Sequence, residues 1–180
     1  MRLRRELAVA VLLYGGSALV AVGTILGVAQ PNSPAPPGAG AEAWADPHAL
    51  FWLILGKNLL VYGLLLLGLL TGGSLSAAVL LYNGGMIGTQ AMLALAAGHS
   101  LGTVALLVLP HGALESAGLC LGGSVGLAGW AGARRLLHQG RFGYGRDLAV
   151  QAGVGAALLL LAAFVEVTLT RAVALSLLGA

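Results

Sequence analysis

The stretch Leu109-Pro110-His111-Gly112-Ala113-Leu114-Glu115 sets an imidazole and a carboxylate four residues apart inside an apolar run. On a helix starting near Pro110, His111 and Glu115 share one face, one turn apart. Ionisable groups are expensive in hydrocarbon, so such a pair demands a role. It could relay a proton, lend two ligands to a metal, or act as acid and base. A closed zinc site needs about four ligands, so His99 and Glu166 would have to be recruited to complete one. The structural alternative is that Glu115 accepts hydrogen bonds from loop backbone or from His111 and pins a bend. That alternative is favoured over ligand or proton handling, and catalysis comes last. No catalytic, metal-binding or cofactor-binding residue is assigned, and no cofactor is expected.

The element carrying this pair continues as a glycine ridge. Gly118, Gly122 and Gly126 follow at four-residue steps on the same helical face. Small residues let helix backbones approach closely in a membrane. The ridge is therefore a packing surface, either for this chain's own helices or for a second copy. Gly84 and Gly88 form a similar small-xxx-small pair earlier in the chain.

The whole composition agrees with a membrane setting. Of 180 residues, 58% are hydrophobic and 8% charged, with a mean hydropathy of +0.94. A soluble domain carries about a quarter charged residues. The expected fold is an all-α polytopic transmembrane bundle forming a single domain, with the lipid bilayer as its surroundings. The net charge of +3 is no sign of nucleic acid, because the basic residues cluster where topology wants them. The lone Cys120 excludes a disulfide within the chain and suits a small packing residue.

Five spans are expected, at about 7–29, 51–70, 76–96, 112–133 and 148–168. The first follows Arg2, Arg4 and Arg5 and would rise about 35 Å, enough to cross with some tilt. Residues 30–47 hold five prolines and no Lys or Arg, which reads as an outer loop. Trp44, Phe51 and Trp52 suit the interface on that side. Arg134, Arg135, Arg141 and Arg146 mark an inner basic loop at 134–147. The N-terminus is then cytoplasmic and the C-terminus extracytoplasmic, in a multi-pass protein of the cell membrane.

Between the third and fourth spans, residues 98–111 are short for a crossing, yet joined to the next run they are too long. A re-entrant or broken helix is expected there, with a sharply kinked span as the alternative. Lys57 and Asn58 fall about 10 Å deep if the second helix begins at Phe51. Asn58 and Asn83 should hydrogen-bond to neighbouring helices, and the double glycine Gly84-Gly85 could loosen the third. Asn58, Asn83, His111, Glu115 and Glu166 are expected to form one polar cluster towards the outer side.

These residues carry a family resemblance. Asn58, Tyr82-Asn83-Gly84 with Gly88, the element Leu109 to Glu115, and Ala163-Phe164-Val165-Glu166 with Thr170 resemble the stage II sporulation protein M family. The resemblance implies a bacterial multi-spanning protein. In spore formers the namesake scaffolds the peptidoglycan-degrading complex of engulfment and has no hydrolase activity. Relatives also occur in organisms that do not sporulate.

Two functions follow as expectations. The first is a non-enzymatic membrane scaffold or assembly subunit that holds partner proteins, with homo-oligomerisation or a membrane or extracytoplasmic protein as partner. The second is a permease-like component for an ion, lipid or small solute, because transporters build sites from polar groups at interrupted helices. The surroundings of Glu115 discriminate between them. A dry, fully paired carboxylate favours the scaffold, and an open cavity favours transport.

Overall fold

A computed structural model describes residues 3–28, 46–139 and 145–178. These residues form α1 (Leu3–Val28), α2 (Pro47–Leu67), α3 (Ser74–Ala96), α4 (Leu101–Gln139), α5 (Gly145–Val165), a π-helical turn (Glu166–Thr170) and α6 (Arg171–Leu178). Among them, five helices are long and apolar enough to cross a membrane. The architecture is an all-α transmembrane bundle, because lipid offers no partner for a backbone N–H or C=O and helices satisfy those groups internally.

Local chemistry explains the helix ends. The Asp46 carboxylate accepts from the His48 N–H at 2.9 Å, and Pro47 occupies the first turn, where its missing N–H costs nothing. This cap starts α2 four residues earlier than Phe51 and puts His48 on the helix, where its Nε2 accepts from the Trp52 indole at 3.1 Å. Trp44 and most of the expected outer loop lie outside the described residues. Between α2 and α3, Gly72 and Gly73 take φ of 62° and 90°, a left-handed backbone that a side chain would strain. α3 runs unbroken through Gly84-Gly85.

The fourth span corrects the expected topology. No re-entrant segment forms: after the turn at 98–100, residues 101–111 are helical and belong to the fourth span, which is the alternative reading. Ser100 caps α4, its Oγ accepting from the Thr103 N–H at 3.1 Å, and the helix then continues for 39 residues with Pro110 inside it. At 1.5 Å per residue that is about 58 Å, longer than a hydrocarbon core of about 30 Å. Its end carries Arg134, Arg135 and His138 on the helix. The basic segment is thus helical up to Gln139 and again from Gly145, while Arg141 lies outside the described residues.

α4 is the hub of the bundle, packing against α1, α2, α3, α5 and the π turn. The core gathers Tyr14, Tyr62, Leu65, Leu80, Leu119, Cys120 and Leu159, and Val125, Ala128 and Leu148 extend it. Leu12, Leu19, Leu60, Leu106 and Leu161 point outward, as lipid-facing side chains do.

The glycine ridge is filled from within. A methyl at Gly122 would fall on the Tyr62 ring, one at Gly126 on the Leu65 carbonyl and Ser76 Oγ, and one at Gly118 would stand 2.9 Å from the Gly155 carbonyl and 3.0 Å from Leu159. α2 and α5 occupy the surface that a second copy would have used. Gly84 and Gly88 serve α1 in the same way, against the carbonyls of Tyr14 and Ala18.

Candidate functional site

The end of the bundle that holds the α2–α3 turn is packed solid. Ser76 is fully buried and donates to the Leu65 carbonyl at 2.6 Å. Gln151 on α5 donates to Ser124 Oγ at 2.6 Å, and Tyr62 donates to the Ala152 carbonyl at 2.7 Å. These hydroxyl and amide groups take partners from a neighbouring helix, whereas Glu6 Oε2 is buried without one among the described residues.

The other end is open. A cavity of about 370 Å³ lies among the first half of α2, the middle of α3, residues 108–115 of α4, Tyr14 of α1 and the π turn. All five residues of the expected polar cluster line it: Asn58, Asn83, His111, Glu115 and Glu166. Lys57, the only lysine in the chain, and Gln90 line it as well. Helical spacing delivers them. Asn83 and Gln90 are seven residues apart on α3, and His111 and Glu115 four apart on α4, so each pair shares a face.

The contacts differ from the expected ones in instructive ways. Asn83 donates to the Val79 carbonyl of its own helix at 2.8 Å and is not glue between helices. Asn58 is 5% exposed and, among the described residues, its amide makes no hydrogen bond; it borders the cavity instead. Because α2 begins at Pro47, Asn58 lies about 16 Å along the helix. Glu115 is not paired with His111. The imidazole Nδ1 lies 3.1 Å from Thr170 Oγ1, across 59 residues of chain.

Thr170 enters through the π turn. Such turns add a residue to a helical cycle and are frequent at functional sites. Here the turn begins at Glu166, which lines the cavity, and ends at Thr170, which is buried at 4% exposure. Nothing in the sequence marks the widened turn. Gln90, by contrast, was readable as the continuation of the Asn83 face.

Glu115 lies within electrostatic reach of Glu166, His111 and Lys57, and Glu166 within reach of Lys57. No ion pair within 4.0 Å joins these groups among the described residues. Nor do any three His, Cys, Asp or Glu side chains among those residues stand close enough to hold a metal ion. The cavity is therefore lined by two carboxylates, an ammonium and several amides.

An apolar bundle with five helices long enough to cross a bilayer defines a multi-pass membrane protein. The family model for stage II sporulation protein M matches residues 9–171, and the chain belongs to that family. No curated protein and no solved structure matches it.

Proposed function

We propose that this protein is a non-enzymatic, permease-like membrane subunit that takes a small polar solute or lipid headgroup into the cavity around Glu115. One observation carries the reading: Glu115, Glu166, Lys57 and Asn58 converge on an open volume without pairing to one another. A carboxylate whose task is to pin helices would be dry and hydrogen-bonded. About 370 Å³ is also within the usual range of small-ligand sites, about 300–1,000 Å³.

The orientation follows from charge. Arg4 and Arg5 begin α1, Arg134 and Arg135 lie near the end of α4, and Arg146 begins α5. In an up-and-down bundle these share one end, which the positive-inside tendency assigns to the cytoplasm. The cavity then sits in the outer half, and the C-terminus is extracytoplasmic. Glu115→Gln in reconstituted vesicles tests the reading: solute flux is lost while the folded, monodisperse protein is retained. Unchanged flux in the folded variant rejects it.

The scaffold reading keeps one supporting observation. The cytoplasmic half is closed by interlocked glycines and leucines, so a single copy offers no continuous route. A purely structural subunit would assemble with its partners equally well with Glu115→Gln, which co-purification from native membranes measures.

A further inference from the structure

The groups that line the cavity are sorted by depth. On α2, Leu50, Leu53 and Ile54 come before Lys57 and Asn58. α4 runs the same way as α2, its Leu127 lying against Gly73 in the α2–α3 turn, and there Val108 comes before His111 and Glu115. α3 runs the opposite way, and Asn83 comes before Ile87 and Ala91. On all three helices the aliphatic residues therefore lie about one turn farther from the α2–α3 turn than the polar ones. The cavity has a polar floor under an aliphatic collar, with Gln90 as the amide at collar level.

The floor carries one negative charge in excess. Glu115 and Glu166 supply two carboxylates, Lys57 lies within electrostatic reach of both, and the imidazole counts as neutral at pH 7. An uncompensated charge in a low-dielectric setting is costly, and one monovalent cation balances this one. Asn58 opens on the same space. It is 5% exposed and makes no hydrogen bond among the described residues, yet neither amide atom is sealed off. Its remaining exposure therefore includes the amide, on the cavity that the residue lines.

The shape of the cavity separates the possible cations. A proton would leave the volume empty, and among the described residues neither carboxylate has a hydrogen-bonding neighbour to share it. A bare alkali ion fills a small part of about 370 Å³, and the collar offers it no ligand. A quaternary ammonium has no N–H and is held best by an aromatic cage, whereas Tyr14 is the only Phe, Tyr or Trp lining the cavity. A primary alkylammonium uses both levels, with three N–H donors for the floor and a hydrocarbon body for the collar.

We infer that the cavity binds a small primary monoamine in its ammonium form, its N–H groups on oxygens of Glu115, Glu166 and Asn58 and its hydrocarbon body within the collar. This rests on the solute-binding reading above and names the class of solute.

The test uses the full chain in phosphatidylcholine nanodiscs at neutral pH, where a primary amine is protonated, with binding to empty nanodiscs subtracted. Radiolabelled n-butylamine is bound at trace level and then displaced. Unlabelled butylamine at about ten times its Kd lowers the bound tracer about tenfold, and sodium, potassium, tetramethylammonium or butanol at the same concentration does not. Glu115→Gln weakens binding by at least about tenfold. Lys57 is exposed, so Lys57→Gln keeps the fold while removing the balancing ammonium. Putrescine, a dication, then displaces the tracer better than butylamine, whereas the parent chain prefers butylamine. Gel filtration and thermal melting check the folding of both variants. Equal displacement by sodium, potassium, tetramethylammonium or butanol overturns the primary amine and leaves a solute-binding cavity standing. An unchanged order of the two amines in folded Lys57→Gln overturns the charge balance and the monoamine with it. Absence of saturable binding to the folded parent chain also overturns the monoamine, and the flux of Glu115→Gln then decides the solute-binding reading by itself.

Discussion

His111 Nδ1 and Thr170 Oγ1 stand 3.1 Å apart and tie the first third of α4 to the end of the π turn. The contact fixes the imidazole at one nitrogen, and His111 also lines the cavity. Hydrogen bonds between membrane helices average about 0.6 kcal/mol in double-mutant cycles, with an upper value of about 1.7. Thr170→Val and His111→Phe are therefore expected to couple by about 0.6 kcal/mol. Reversible unfolding of the single and double variants in bicelles measures the coupling, and strictly additive losses would show that the two side chains do not interact.

The docking of α1 on α3 depends on two absent side chains. A Cβ at Gly84 would overlap the Tyr14 carbonyl and one at Gly88 the Ala18 carbonyl, whereas one at Gly85 meets nothing within 4 Å. Backbone cannot step aside as a flexible side chain can. Gly84→Ala and Gly88→Ala should each cost about 1–3 kcal/mol, while Gly85→Ala is neutral. Thermal melts of the three variants provide the comparison, and equal losses at all three positions would refute it.

The five crossings were legible in the sequence because uninterrupted apolar runs and loop arginines report directly on the bilayer. The helix ends were less so. Asp46 and Ser100 act through caps whose effect depends on backbone geometry, and they shifted α2 and created the long α4. Convergence of Asn58, Asn83, His111, Glu115 and Glu166 on one side was readable from helix direction and depth. Their actual partners were not, since Asn83 bonds within its helix and His111 finds Thr170 only through a π turn that leaves no local signature. The choice between self-packing and a second copy at Gly118, Gly122 and Gly126 also depended on which helices arrive there. A glycine face states how close a neighbour can come and not which neighbour it is.

Tyr62 joins three helices at the closed end. Its hydroxyl donates to the Ala152 carbonyl at 2.7 Å, and its ring lies over Gly122 with the hydroxyl end against Gly155. Tyr62→Phe keeps the ring and loses the bond, for about 1 kcal/mol. Gly122→Ala keeps the bond donor but drives a methyl into the ring, so it should cost more than Tyr62→Phe. The order of the two losses in an unfolding titration decides whether ring packing or the hydrogen bond dominates this joint.

Pro110 poses the opposite case, a residue that the helix tolerates and the cavity uses. Inside α4 it has no N–H for the Leu106 carbonyl, and a mid-helix proline costs about 3 kcal/mol in soluble helices. Pro110→Ala restores that donor, so α4 should remain helical and the protein should melt no lower than the parent. Pro110 immediately precedes His111, and Gly112 and Glu115 follow on the same cavity wall. Restoring the hydrogen bond there changes the backbone that carries these polar groups while adding stability, a common conflict at functional sites. The expected outcome is an unchanged or raised melting temperature together with reduced solute flux. A variant that loses stability would instead make Pro110 part of the packing, and one that gains stability with full flux would separate the proline from the site.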